Sequence, residues 1–287
     1  MAIAYPLQKF QDWFTQQWVI TRGKKFEPKD FPWLIGPFGT INAFGEDLIC
    51  QLAEKEQLTI QRNTSSQGIL ESIGLFNFTE TDLEKLSKKV IDFYENTSEY
   101  DLSLTVKWNP FFKFFGILLN KFFSDRINQL NVPLKANENI NSLKSEIVTL
   151  SDPTTHQIKY TVWLRTSENK IMYSGIYGTC KLPSGKSCIK VIFPLPQGNA
   201  TVIMIPKIGK NGALILESSG KKIGDAGFYF LLKDAKDVHW TKFIASFRDR
   251  LIINEENDTI YAEQTLTLWK QTVLKFNYTI QRKNSTN

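Results

Sequence analysis

The feature that most constrains this chain is a long series of short apolar segments in residues 145–280, separated by turn-forming residues such as Asn211 and Gly212. In the clearest segments, such as residues 158–165, apolar and more polar positions alternate. Alternation with a period of two is typical of a β-strand that buries one face. Strands that follow one another without intervening helices pair antiparallel. The pattern therefore predicts one antiparallel sheet of at least about six strands.

The N-terminal part of the chain has a helical period of about 3.6 residues instead. This period predicts amphipathic helices over residues 7–18, 41–56 and 81–96. Thr81 and Glu84 have the spacing of a capping box at the start of the third helix. In the first helix, the face that is expected to be buried comprises Leu7, Phe10, Trp13, Phe14 and Trp18.

A Phe-rich segment connects these two regions. Residues 101–108 alternate and predict a strand, after which Pro110 favours the start of a helix. Residues 111–130 carry apolar side chains around almost the whole helical circumference, so this helix is expected to be buried on more than one side. We expect it to pack against the concave face of the sheet. The alternative is that its N-terminal half lies in a membrane surface.

Two segments near the C-terminus complete the predicted secondary structure. Residues 240–251 have the spacing of a helix with a single buried face, formed by Trp240, Phe243, Ile244, Phe247 and Leu251. Residues 266–280 alternate and predict one bent strand or a tight hairpin. The apolar face of this last segment comprises Leu266, Leu268, Leu274, Phe276, Tyr278 and Ile280.

These elements together predict the α+β class. Residues 1–100 would form a mostly helical region, and residues 101–287 would form a large curved antiparallel sheet packed on helices. Both regions would belong to a single composite domain of residues 1–287. By architecture alone, this arrangement is similar to helix-grip folds, in which a curved sheet wraps against a long helix. The similarity implies a pocket for an apolar ligand between sheet and helix, although a fold does not by itself determine a function.

Charge and cysteine content exclude one function and predict a location. The chain has 35 Lys and Arg residues against 29 Asp and Glu residues, a net charge of +6. The basic residues are scattered, whereas binding to a nucleic-acid duplex needs a contiguous basic surface, so we expect no dedicated nucleic-acid binding. The three Cys residues are an odd number, which fits a reducing compartment better than a disulfide framework. Residues 1–20 do not have the composition of a signal peptide, and a cytoplasmic location is expected.

The sequence offers few candidates for catalysis. It lacks the Gly-x-Ser-x-Gly, His-Glu-x-x-His and Cys-x-x-Cys patterns, and two His residues are too few for a His-rich metal site. We therefore expect no metal and no cofactor. The catalytic candidates are Asp225, Tyr229 and His239. Asp225 lies between glycines that would let the backbone approach a ligand, but an aspartate that closes a turn has the same pattern. His239 fits packing at a helix end equally well.

Binding of a hydrophobic small molecule or lipid is the function that the pattern favours. In this hypothesis a soluble protein holds the ligand between sheet and helix, in a cavity of about a few hundred Å³. The expected ligand-binding residues are large and apolar: Phe111, Phe115, Leu118, Phe122, Phe276 and Tyr278. One alternative is an enzyme, such as a cyclase, isomerase or hydrolase, that acts on an apolar ligand in the same cavity. Another is a peripheral membrane or partner-binding protein that uses the Phe-rich segment.

Two of the cysteines flank a predicted hairpin turn. Cys180 and Cys188 are equidistant from Ser184, so a symmetric hairpin would place them opposite one another. Opposed β-carbons are about 4.5–5.5 Å apart, which is slightly more than a relaxed disulfide requires. We therefore predict adjacent reduced thiols, with a disulfide as the alternative.

Overall fold

The computed structural model describes residues 2–6, 8–40, 46–62, 64, 66–112, 138–167 and 170–283. These residues form one sheet of fourteen strands. The strands are β1 (Lys24–Lys25), β2 (Thr59–Arg62), β3 (Tyr100–Trp108), β4 (Glu138–Ser151), β5 (Ile158–Ser167), β6 (Lys170–Lys181), β7 (Ser187–Leu195), β8 (Gly198–Ile208), β9 (Leu214–Glu217), β10 (Phe228–Lys233), β11 (His239–Phe243), β12 (Phe247–Glu256), β13 (Thr259–Leu268) and β14 (Gln271–Arg282). Neighbouring strands pair antiparallel, so the antiparallel sheet predicted for residues 145–280 is confirmed.

Ten of the strands close into a barrel. Their order is β8–β7–β6–β5–β4–β3–β14–β13–β12–β9, and β9 pairs back with β8. The barrel closes because β8 divides its second edge between two partners: residues 198–202 pair with β10, and residues 205–208 pair with β9. Closure gives each barrel strand two neighbours and removes the open edges of a sheet. Outside the barrel, β10, β11 and β1 extend the sheet beyond β8, and β2 pairs with β4.

The closed barrel corrects the predicted fold class. The protein is mainly β, and the α+β arrangement of an open curved sheet packed on a long helix is wrong. The similarity to helix-grip folds is wrong for the same reason. Alternating strands from all sides turn apolar residues inward, and these residues pack against one another in one core that includes Leu102, Val106, Ile147, Ile253 and Phe276. The concave face is thus covered by the sheet itself.

The helix predicted for residues 240–251 is also wrong. This stretch contains the end of β11, a turn at residues 244–246 and the start of β12. Thr241 pairs with Lys24 on one side and with Leu231 on the other. Pairing on both sides stabilises extended backbone, and it overrides a local spacing that would also suit a helix. The last segment forms the tight hairpin of the two alternatives that its sequence left open.

Four α-helices lie in the described residues: α1 (Phe10–Arg22), α2 (Glu46–Glu56), α3 (Glu80–Lys85) and α4 (Lys88–Glu95). The single helix predicted for residues 81–96 is divided, because Leu86 is extended and Ser87 then caps α4. Thr79, rather than Thr81, is the N-cap of α3. α2 packs on the outside of the barrel, and α4 contributes to the core from one end.

α1 turns a different face toward the protein from the one predicted. Its buried residues are Asp12, Gln16, Val19 and Ile20. Three aromatic residues that were expected to be buried are instead exposed: Phe10 by 74%, Phe14 by 61% and Trp18 by 40%. A hydrogen bond holds this orientation, because Gln16 Nε2 donates to the carbonyl oxygen of Pro196 at 2.7 Å in a buried position.

The structure describes only the start of the Phe-rich segment. Residues 110–112 form a helical turn, and Asn109 Oδ1 accepts a hydrogen bond from the backbone N of Phe111 at 3.1 Å. Phe111 is 85% exposed, whereas Phe112 is buried. The rest of the predicted helix, residues 113–130, lies outside the described residues.

The prediction for the paired cysteines is confirmed. Cys180 and Cys188 are directly opposite one another across β6 and β7, and both are free thiols. Burial raises the pKa of Cys180 to about 11 and that of Cys188 to about 12. Thiols with such raised pKa values stay protonated at neutral pH, and they are poor nucleophiles.

The hairpin between β13 and β14 has a strained turn. Its two central residues, Trp269 and Lys270, have φ angles of 49° and 67°. Two-residue hairpin turns of this kind favour Asn and Gly, because side chains with a β-carbon crowd the backbone at positive φ. The turn therefore stores backbone strain.

Replacing Lys270 with Gly is expected to raise the free energy of unfolding by about 0.5–1 kcal/mol, because glycine adopts positive φ without this strain. Equilibrium unfolding in denaturant measures the change. The matched control is Lys107→Gly, at an exposed position of β3, where Lys107 pairs with Lys275 of β14. It should lower the free energy of unfolding by about 0.5–1 kcal/mol, since glycine weakens an extended strand. If Lys270→Gly also lowers the free energy of unfolding, as Lys107→Gly should, the backbone at Lys270 is not strained.

Candidate ligand site in the barrel interior

The barrel interior encloses a cavity of about 60 Å³. Aliphatic side chains from β3, β7, β8, β9, β12, β13 and β14 form most of its wall, and aromatic rings such as Trp163, Tyr173 and Tyr278 complete it. Two charged residues in the described part of the wall, Arg165 and Asp249, break the apolar lining. Because one water needs about 10–15 Å³ of such space, the cavity holds several waters or a compact ligand group.

Arg165 enters the cavity through the alternation of β5, which turns Trp163 and Arg165 to the same inward face. Its guanidinium carbon lies 4.1 Å from the ring centroid of Trp163 and 3.8 Å from that of Tyr173. Arg165 Nη2 donates to the hydroxyl oxygen of Tyr177 at 3.3 Å. The Nε atom has no hydrogen-bond partner among the described residues. Arg165 is therefore a stacked, 5% exposed cation with one donor left over.

Three tyrosines set the electrostatics around this cation. Burial raises the pKa of Tyr173 and Tyr177, and it raises the pKa of Tyr278 to about 12, so their hydroxyls stay protonated. Burial alone would lower the pKa of Arg165, but the interactions with these hydroxyls outweigh it and leave the pKa raised. The guanidinium consequently stays charged inside the barrel.

Asp249 enters the cavity from β12 and is 6% exposed. Gln264 Nε2 donates to its Oδ2 at 2.8 Å, while Oδ1 has no partner among the described residues. Burial raises the pKa of Asp249 to about 7, and the hydrogen bond from Gln264 only partly opposes this shift. At neutral pH the carboxyl group therefore exists in both protonation states.

Burying the side chains of Arg165 and Asp249 lowers the stability of the folded protein. Neither Arg165 nor Asp249 has an ion-pair partner in the ranges that the structure describes. An uncompensated buried charge costs several kcal/mol. Four buried side-chain atoms of the described residues lack a hydrogen-bond partner, and two of them, Arg165 Nε and Asp249 Oδ1, belong to the wall of this one cavity. Such a concentration of unsatisfied polar atoms in one wall makes this cavity the candidate functional site.

The ligand-binding residues predicted from sequence reach this site in part. Tyr278 lines the cavity and interacts with Arg165. Phe276 is buried beside it, with the two ring centroids 6.1 Å apart, but it does not line the cavity. Phe111 is exposed at the end of β3. The other predicted residues, Phe115, Leu118 and Phe122, lie outside the described residues.

The three catalytic candidates lie away from this cavity. Asp225 closes a turn, because its Oδ2 accepts hydrogen bonds from the backbone N atoms of Lys221 and Lys222 at 2.9 and 3.1 Å. Tyr229 is fully buried, and its hydroxyl donates to the carbonyl oxygen of Asp225. These contacts stabilise a loop. In the described part of the chain, no cluster of His, Cys, Asp and Glu is arranged to hold a metal ion.

His239 lies on the outside of the barrel rather than at a helix end. It is the first residue of β11, with ring centroids 5.7 Å from Phe26 and 5.9 Å from Phe38, and burial lowers its pKa. It lines an open cleft of about 670 Å³ between α2, β5 and the segment after β1. Glu56, another lining residue of the cleft, has polar partners, since Lys159 Nζ lies 2.6 Å from its Oε2. None of the four unpartnered buried atoms in the described residues belongs to the lining of this cleft.

Sequence reasoning missed Arg165, Asp249 and Gln264. A partial signal for Arg165 exists, because it shares a strand face with Trp163, although the apolar residues of that segment alternate on the other face. The structure turns the face of Trp163 and Arg165 inward. A charged residue at such a position is either paired or functional. For Asp249 there was no such signal, since the surrounding residues were assigned to a helix.

Fold and site together define a closed antiparallel barrel with a polar group inside it, an architecture that is compatible with ligand binding. No family model matches the chain, and no solved structure matches it. Over 172 residues, or 59% of the chain, the sequence is 27% identical to the uncharacterized membrane protein YndJ of Bacillus subtilis (strain 168). The chain spans 31% of the length of that relative.

This relative corrects the predicted location. A cytoplasmic location was expected from the composition of residues 1–20 and from the cysteines, whereas the relative is described as a membrane protein. Both features are indirect indicators of location, since neither describes a contact with a membrane. Within the described ranges, no helix combines the length and the apolar character needed to cross a bilayer.

Proposed function

We propose that the barrel binds a compact apolar carboxylic acid in its interior. The observation that carries this proposal is the pair of buried, unpartnered atoms, Arg165 Nε and Asp249 Oδ1, in the wall of one apolar cavity. A carboxylate would accept a hydrogen bond from Arg165 and neutralise its charge. Asp249, with a pKa of about 7, would donate its own proton to a second ligand oxygen. The aliphatic wall would hold the apolar part of the ligand.

The volume of the cavity limits the size of this ligand. Drug-sized ligands occupy about 300–1,000 Å³, whereas this cavity measures about 60 Å³. The expected cavity of a few hundred Å³ is therefore not present in the described interior. A short-chain acid fits the space better than a lipid with a long acyl chain, so we propose the former.

Titration calorimetry with butyrate, and with butanol as the uncharged comparison, tests this function. Butyrate should bind and butanol should not, and binding should weaken above about pH 7 as Asp249 ionises. Arg165→Met should weaken butyrate binding by about tenfold or more, the loss expected for a hydrogen bond to a charged group. The matched control is Arg250→Met, on β12 but exposed and paired with Glu217. Equal binding of butyrate and butanol would contradict the proposal.

An enzyme that acts on the same ligand is the second candidate. The pKa of Asp249, about 7, supports it, because a general base is most effective when its pKa is close to the working pH. Mass spectrometry of an acid incubated with the purified protein separates the two functions. An acid that is recovered unchanged supports binding alone, and a product whose formation requires Asp249 supports the enzyme.

We also propose that this chain works at a membrane. The support is its similarity to a protein described as a membrane protein over 59% of the chain. Fractionation of cells that express this protein tests this location. Recovery of the protein in the soluble fraction would contradict it.

A further inference from the structure

α1 presents an aromatic surface to its surroundings, and we call Phe10, Phe14 and Trp18 the aromatic face. The three residues are four positions apart, so they form one stripe along the helix. They are 74%, 61% and 40% exposed. Exposed aromatic residues are unremarkable when they are single, but a contiguous stripe marks an interaction surface.

α1 is held with its aromatic side outward by contacts on its other side. The opposite side of the helix is polar as well as apolar, with Asp12 and Gln16 buried beside Val19 and Ile20. Gln16 Nε2 donates to the carbonyl oxygen of Pro196, and Val19 and Ile20 pack with Leu232. The fold thus buries polar groups of α1 and leaves its largest rings outside.

Within residues 9–25, the exposed charges are of one sign. Lys9 precedes α1, Arg22 ends it, and Lys24 and Lys25 follow in β1, all of them exposed. The acidic residue within residues 9–25 is Asp12, which is buried. The face therefore combines exposed aromatic rings with basic ends. This is the composition of helices that lie in the interface of an anionic membrane, where aromatic rings sit at the headgroup level and basic residues contact phosphates.

From this geometry we infer that the aromatic face of α1 docks on the surface of an anionic phospholipid bilayer. The inference rests on the proposed membrane location and names the surface that would make the contact. Phe10 and Phe14 insert between the headgroups, and Lys9 and Arg22 contact lipid phosphates at the two ends of the helix. Trp18, whose ring centroid lies 6.4 Å from that of Phe230, supports the stripe from the side of the barrel.

Co-sedimentation of the purified 287-residue chain with vesicles tests this inference. We expect binding to phosphatidylcholine vesicles that contain phosphatidylglycerol, and weaker binding at high salt because the charges are screened. Phe10→Ser combined with Phe14→Ser should weaken binding by about tenfold or more, the effect of losing two buried aromatic side chains. Thermal unfolding of the variant should match that of the unmodified chain, since both residues are exposed.

The matched control combines Leu75→Ser with Ile158→Ser, which removes two exposed apolar residues outside α1. This variant should bind the vesicles as the unmodified chain does. Equal losses in both variants, or no binding by the unmodified chain, would overturn the inference. So would size-exclusion chromatography that shows a dimer lost only in the Phe10, Phe14 variant, because a second copy would then be the occupant. If vesicle binding fails while the protein in cells remains in the membrane fraction, the docking surface is wrong and the proposed location stands.

Discussion

At about pH 8, the Asp249→Asn protein is expected to be more stable than the unmodified protein by about 2–4 kcal/mol. The pKa of Asp249 is about 7 in the folded protein because of burial, whereas an aspartate in an unfolded chain has a pKa of about 3.9. Between these two values the folded state binds more protons than the unfolded state. Stability therefore decreases as the pH rises from about 4 to 7, and above the folded pKa the full cost of the buried charge is present.

Asparagine removes this cost because it carries no charge and can still accept the hydrogen bond from Gln264. The gain should be much smaller near pH 4, where the aspartate is already protonated in the folded protein and about half protonated in the unfolded one. Denaturant unfolding of both proteins at several pH values measures the difference. Asp237→Asn is the control, because Asp237 is 89% exposed and should show no comparable pH-dependent gain. A gain for Asp249→Asn that does not vary with pH would contradict a raised pKa.

Replacing Arg165 with Met is expected to move stability and ligand binding in opposite directions. Arg165 is a buried cation without a counter-ion among the described residues, and its Nε donor has no hydrogen-bond partner there. Methionine has a similar length and would occupy the space between Trp163 and Tyr173 without this desolvation cost. We expect the free energy of unfolding to rise by about 1–3 kcal/mol, as when buried ionic groups are replaced by apolar side chains of similar volume. Affinity for butyrate should fall.

A structural role for Arg165 predicts the reverse. If its stacking on two aromatic rings and its hydrogen bond to Tyr177 mainly hold the barrel together, then Arg165→Met lowers stability and affects ligand affinity only through misfolding. Denaturant unfolding and calorimetry on the same sample distinguish the two cases. Arg165→Lys is a useful companion, because it keeps the charge but cannot reproduce the planar fork of a guanidinium. It should retain part of the affinity for a carboxylate.

The sequence by itself predicted the strands where one face is buried and the other is exposed. β3 alternates along its length and β14 along most of its length, so the two-residue period identified them without any knowledge of their neighbours. The opposed positions of Cys180 and Cys188 also follow from local information, because the turn between β6 and β7 sets the register. Local pattern was sufficient for these strands and for this hairpin.

Tertiary structure decided the remaining features. β8 divides one edge between β9 and β10, and this closes the sheet. The sequence of β8 contains no pattern that predicts two partners on one edge. Residues 240–251 become strands because pairing on both sides satisfies their extended backbone, although their spacing also suits a helix. For α1, the position of Pro196 selects the inward face, and this contact is made 180 residues away along the chain.

The site depends on tertiary structure for the same reason. The inward position of Arg165 is a local property of β5, but whether a buried charge is paired depends on what lies across the barrel. Asp249 comes from β12, on the other half of the closed sheet, and it brings a hydrogen-bond donor from Gln264 rather than a counter-ion for Arg165. Sequence specifies which side of a strand each residue faces, because that period is set by backbone geometry. Which residues then come into contact depends on how the sheet closes. Closure in turn depends on many strand pairs whose members are distant in sequence.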